Sequence, residues 1–104
     1  MKLERLLKKI LDRTTYVVET VEIPTTSISG NTAAEFTENV TKSGGYYPIG
    51  VVGFSCVQGT LVARRIYIDT QAVGSCRAVA NVRNVSSSSA GASRVNLNIL
   101  WVKV

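Results

Sequence analysis

Leu3, Leu6, Leu7, Ile10 and Leu11 recur at steps of three and four residues, with Lys2, Arg5, Lys8, Lys9 and Asp12 between them. That spacing gathers the five apolar side chains on one stripe and predicts an amphipathic helix over residues 2–12, within an N-terminal unit of residues 1–13. Glu4 precedes Lys8 by four residues, the favourable order for an ion pair along a helix. Eleven residues are too few to hold a helix in water by propensity alone. The stripe is therefore expected to bury against its own domain, sister helices, a partner protein or a bilayer surface. Packing with identical helices or on neighbouring copies is the preferred reading.

Beyond Arg13 the period changes from 3.6 to 2. Residues 15–23 alternate, with Val17, Val21 and Ile23 on one face and Tyr16, Val18, Thr20 and Glu22 on the other; Pro24 ends this strand or confines it to an edge. Residues 25–32 read as a polar turn, 33–41 as a strand with Ala34, Phe36 and Val40 on one side, and 42–45 as a flexible turn. Residues 46–57 are nearly unbroken in apolar character, the pattern of a strand in the middle of a sandwich or beneath a neighbouring subunit. Gly50 and Gly53 inside it predict a bulge or a close backbone approach. Further strands are predicted over 61–68, 76–84 and 94–104. Arg64 and Arg65, adjacent in the first of these, are expected on opposite faces. In the last, Val95, Leu97, Ile99 and Trp101 share a core face. The serine-rich stretch 86–93 reads as an exposed loop.

Six or seven short strands separated by Gly, Ser and Thr turns predict an all-β fold, an antiparallel β-sandwich of jelly-roll or Greek-key type spanning residues 14–104, preceded by one short helix. At 104 residues the chain has room for one core.

Composition narrows the chemistry. The chain has no histidine, which removes imidazole from catalysis and from metal binding. Two cysteines, Cys56 and Cys76, match no metal or redox spacing; buried thiols are the preferred reading, with a disulfide between neighbouring strands as the other. Glu19 and Glu22 differ by three in a strand, so they project to opposite faces, as do Glu35 and Glu38. They read as solvated charges, not as a glycosidase pair. No serine has an activating base in motif spacing, and no phosphate-binding glycine pattern is present. No catalytic residue, cofactor or metal ligand is assigned, and the chain is not expected to be an enzyme. Three of the five net positive charges fall within residues 1–13, so the β domain lacks the basic face of a nucleic-acid binder. No secretory leader and no membrane span is read from the sequence.

Residues Val40 to Phe54, Val-Thr-Lys-Ser-Gly-Gly-Tyr-Tyr-Pro-Ile-Gly-Val-Val-Gly-Phe, carry a further pattern. This stretch resembles the T-K-S-G-Y-x-P-[IL]-G-[IV]-[IV]-G segment of small proteins encoded in phages and prophages of gut bacteria, with Gly45 an extra residue in the turn. The layout is also similar: a short charged helix, a β domain of this size, a late N-x-S/T turn at Asn84-Val85-Ser86 and a closing Trp101-Val102-Lys103. The resemblance implies a virion component of tail-fibre, baseplate or receptor-binding type, made in a bacterial cytoplasm and placed in the virion.

The expected partners are copies of the chain itself, a trimer being favoured, together with other virion proteins and a host-surface glycan; neither nucleic acid nor membrane is expected. Assembly is assigned to Leu3, Leu6, Leu7, Ile10 and Leu11 of the helix and to Tyr47, Ile49, Val51 and Phe54. Recognition is assigned to the loops at 25–32, 58–60, 69–75 and 86–93. The alternative is a monomeric carbohydrate-binding module using Tyr46, Tyr47 or Tyr67 as a stacking platform.

Overall fold

A computed structural model of the chain describes residues 15–104. The helix expected over residues 2–12, with its Leu3, Leu6, Leu7, Ile10 and Leu11 stripe, lies outside the described residues. Among those described, six strands form: β1 (Tyr16–Thr25), β2 (Ala33–Thr41), β3 (Tyr46–Cys56), β4 (Leu61–Ala72), β5 (Ser75–Asn84) and β6 (Ser93–Lys103). They make two antiparallel three-stranded sheets, sheet I in the order β1-β6-β3 and sheet II in the order β2-β5-β4. The fold is all-β and sandwich-like. Only the β4–β5 connection stays within one sheet; the others pass from one sheet to the other.

The two central strands have the cleanest alternation. Along β6, Val95, Leu97, Ile99 and Trp101 are all completely buried, while the residues between them are half-buried or exposed. Full burial of each such side chain stabilises by roughly 1.5–3 kcal/mol. On β5, Ala78, Ala80 and Val82 join the same core cluster. Small side chains on one sheet leave room for large ones on the other, which lets a tryptophan fit between layers about 10 Å apart. Val79 is also fully buried although it points outward. Its cross-strand neighbours Thr37 and Tyr67 flank it on the outer face of sheet II.

Two expectations are corrected. Residues 46–57 do not lie mid-sandwich: β3 is an edge strand, paired only with β6. Its register slips between Pro48 and Gly50 and again between Val51 and Gly53, so its apolar residues do not follow strict alternation. Pro48, which has no N–H to donate, suits an edge, as does Pro24 in β1. The stretch 69–75 is not an open loop. β4 runs to Ala72 and turns over Val73 and Gly74 into β5, with Thr70 and Gly74 at positive φ of 52° and 83°. Arg64 and Arg65 are both exposed, beside a register slip between Ala63 and Arg65.

Asn84, at the end of β5, is completely buried and fully engaged. Its Nδ2 donates to Ile28 O at 3.1 Å and to Ser88 O at 2.8 Å, and its Oδ1 accepts from Ser86 N at 3.1 Å. Its backbone N–H donates to Thr32 O at 2.9 Å. One side chain thus ties the β1–β2 connection to the β5–β6 connection, beside the paired Ile28 and Ala90 backbones. Gly30 allows this approach, because a Cβ there would stand 2.2 Å from Ser87 O. Removing the amide strands the buried Ile28 carbonyl and unpairs Ser88 O and Ser86 N, so Asn84→Ala should cost about 1–3 kcal/mol in urea unfolding. Thr20→Ala, which removes the exposed bond from Thr20 Oγ1 to Asn98 Oδ1, should cost less than about 0.5 kcal/mol.

Candidate functional site

The two outer faces of the molecule differ in kind. That of sheet II is polar and internally tied. The Arg77 Nε donates to Asp69 Oδ1 at 2.8 Å, with a second bond from Nη2 to Oδ2, and the Arg65 guanidinium lies 4.8 Å from the Tyr67 ring centre. Glu35, Thr37, Asn39, Asn81 and Arg83 share this face by register.

The outer face of sheet I is split along its length. At one end the cross-strand row Tyr16–Val102–Tyr47 is followed by Val18–Leu100–Gly50, an apolar half-face in which Tyr16 is 57% and Val18 52% exposed. Further along come Thr20–Asn98–Gly53 and then Glu22–Asn96–Ser55, which are polar. Gly50 sits in the apolar half with open space where a side chain would stand.

The open sides between the two sheets are also unlike. On the β1/β2 side, Glu19 is in phase with the inward Val17 and Val21, and Glu38 is in phase with the inward Phe36 and Val40. Inward-pointing charges on edge strands discourage pairing with other chains. Glu19 accepts a bond from Lys42 Nζ at 2.6 Å. Glu22 and Glu38 meet at a surface hollow of about 330 Å³, lined also by Pro24, Ser93 and Arg94, with Arg94 Nε 3.5 Å from Glu22. This meeting of two carboxylates from different strand pairs was missed by intra-strand spacing, since it depends on how β1 faces β2. On the other side, β3 carries no such guard, whereas β4 bears the exposed Arg64 and Arg65. From Gly44 to Ala63 the chain has no charged residue, and Ile49, Val52 and Phe54 of β3 are each more than half exposed.

The residues assigned to assembly therefore separate. Tyr47 lies on the apolar half of the sheet I outer face, Ile49 is exposed at a bulge, and Phe54 is exposed in register with Leu97. Val51 packs against the core. The three tyrosines assigned to a stacking platform do not converge. Tyr47 and Tyr67 are on opposite outer faces. The Tyr46 ring has Lys42 Nζ at 4.6 Å and Lys103 Nζ at 5.7 Å, and Tyr67 carries Arg65, so cations occupy surfaces a sugar would stack on.

Of the recognition loops, 86–93 is held down. Its Ala90 is buried and exchanges two 2.9 Å backbone bonds with Ile28 of the 25–32 loop. Cys56 and Cys76 are free thiols in different sheets. Burial pushes both up from the usual thiol range, and the nearby Asp69 charge adds to this for Cys76. Among the described residues no group of three or more His, Cys, Asp or Glu side chains converges as metal ligands would.

The chain matches no protein-family model, no curated protein and no solved structure.

The bond from Arg77 holds the Asp69 carboxyl below its ordinary value. A carboxylate depressed in the folded state stabilises fully above its unfolded value and loses that contribution as pH falls through the folded one. Unfolding midpoints measured between pH 6 and 2 should therefore fall below about pH 4. In Asp69→Asn that acid-side decline should be shallower, because the variant has already lost the pair at neutral pH.

Proposed function

We propose that this protein is a non-enzymatic structural component of a phage virion, of tail, baseplate or receptor-binding type, working as a symmetric oligomer with a trimer favoured. A Greek-key-like or jelly-roll-like kinship belongs to the same reading. The observation that carries it is β3: an uncharged strand, apolar on both sides, that nevertheless lies at a sheet edge with Ile49, Val52 and Phe54 exposed. Isolated exposed apolar side chains are ordinary, but a contiguous set without charge marks an interaction surface. Closed symmetry sets one patch against copies of itself or its neighbour, and an uncharged patch meets no like-charge repulsion there. The two register slips disrupt the ladder along β3, which favours side-chain packing over open-ended strand addition.

The resemblance of Val40–Phe54 to phage and prophage proteins supports the same reading, since that stretch forms the end of β2, the turn and most of β3. Other virion proteins are the natural further partners. Loop 58–60 and the exposed residues of the joined loops 25–32 and 86–93 are the surfaces left for a host receptor or glycan. The carbohydrate-module alternative gains nothing from three dispersed tyrosines, two of them, Tyr46 and Tyr67, covered by cations.

Light scattering after size exclusion of the full chain should give a mass near three times 11.2 kDa, or another closed multiple. Phe54→Lys should shift the dissociation midpoint by about tenfold or more, as expected when a buried aromatic contact of roughly 1.5–3 kcal/mol is lost. A full chain that stays monomeric at every concentration tested overturns the proposal.

A further inference from the structure

We infer that copies of this chain join side by side and head to tail, the β3/β4 side of one seated on the β1/β2 side of the next. The inference rests on the assembly reading and names the two surfaces that meet.

Charge is segregated between these sides. Residues 15–41, which supply β1 and β2, contain Glu19, Glu22, Glu35 and Glu38 and no lysine or arginine. Residues 43–68, which supply β3 and most of β4, contain Arg64 and Arg65 and no acidic residue. The fold gathers β1 and β2 on one flank, where Glu22 and Glu38 share a hollow. It gathers β3 and β4 on the other, where Gln71 Nε2 donates to Pro48 O at 2.8 Å. The central strands β6 and β5 stand between the flanks. The two sides of one molecule therefore cannot meet, and the complement of each is carried by a second copy.

The same segregation decides how the copies face one another. A two-fold contact sets one patch against itself. Through the β3/β4 side it would gather Arg64 and Arg65 of both copies, and through the β1/β2 side it would gather their glutamates. Head-to-tail contact sets arginine against glutamate. The carboxylates that guard β1 and β2 against strand addition thus also select which side of a neighbour is accepted.

Register carries the match further. Glu35, Asn81 and Arg65 form one row on the outer face of sheet II, so Glu35 at the β2 edge and Arg65 at the β4 edge stand level. Neither belongs to an ion pair among the described residues. Val21, Leu97 and Phe54 form a row in sheet I, with half-buried Val21 at the β1 edge and exposed Phe54 at the β3 edge. β1 and β3 both run antiparallel to β6, as β2 and β4 do to β5, so the edges that meet run in the same direction. Rotation about an axis along the strands sets copies side by side without shifting these levels. Arg65 then comes beside the neighbour's Glu35, and Phe54 beside the neighbour's Val21. Rotation without translation is what closes a head-to-tail contact into a ring.

Charge exchange between the two sides tests this, read by light scattering of full chains over a dilution series, with fluorescence of the single tryptophan checking the core. Arg65→Glu and Glu35→Arg should each raise the dissociation midpoint about tenfold or more, because each sets like charges together in every contact. Arg65→Gln, which only removes a charge, should give a smaller shift of the same sign. The chain carrying both reversals should return to within about threefold of the unaltered one, since opposite charges again meet in every contact. Single variants as tight as the unaltered chain, or a double variant no tighter than its parents, overturn the inference. An Arg65→Glu chain that associates more tightly overturns it in favour of a two-fold β3/β4 contact. In each of these cases the assembly reading stands. An unaltered chain that is monomeric throughout removes the assembly reading, and this inference with it.

Discussion

A buried amide governs how the two sheets are joined. Asn84 closes β5, the central strand of sheet II, and the chain then crosses to become β6, the central strand of sheet I. The same side chain holds the β1–β2 crossing through Ile28 O and the β5–β6 crossing through Ser88 O and Ser86 N. An amide with donors and an acceptor both satisfied in a dry site contributes far more to specificity than an apolar side chain of its size, because any other loop arrangement would leave polar atoms unpaired. Gly30 and the Ile28–Ala90 pairing follow from the same close approach. The stretch of four serines is therefore built into the end of the molecule.

From that joint the core follows. β6 supplies large side chains, β5 supplies alanines, and the remaining strands fill the margins with Ile23, Val40, Leu61 and half-buried neighbours such as Phe36 and Ile68. β1 pairs with β6, so the start of the β domain closes on its end; Thr20 meets Asn98 across 78 positions. Such long-range pairing delays the reward for chain closure and is characteristic of slow-folding β domains. Protection of the edges during that time matters, and the molecule divides the task. Inward Glu19 and Glu38 guard one open side, while bulges disrupt the backbone ladder of β3 and β4 on the other.

The surfaces left apolar are thus few and placed. The β3 edge and one half of the sheet I outer face carry most of the exposed apolar area on the strands of that sheet, and they adjoin at Tyr47 and Gly50. Sheet II, by contrast, presents the Arg77–Asp69 ion pair and the Arg65–Tyr67 cation–π contact to water. A molecule with one closed polar face and one half-apolar face fits the position among copies of itself that the proposed virion role requires.

Much of this was legible in the residues. Strict alternation marked β6 and placed Val95, Leu97, Ile99 and Trp101 on a core face, where they lie. Gly50 and Gly53 marked the bulges of β3. The all-β class and the near-correct strand spans came from period and turn chemistry, which are local properties. What local pattern does not encode is which strand lies beside which. An apolar strand can be central or can sit at an uncovered edge with equal sequence, so β3 was misplaced, although Pro48 pointed to the edge. The continuation of β4 to Ala72 depended on Thr70 adopting a positive φ that its sequence does not advertise. The meeting of Glu22 with Glu38, the separation of the three tyrosines and the clasp of Asn84 are relations between distant segments. Sequence by itself determined which side chains turn inward, because alternation and hydrophobicity act over a few residues; only the tertiary structure decided which surfaces remain exposed together, because that depends on long-range pairing and on how the two sheets stack.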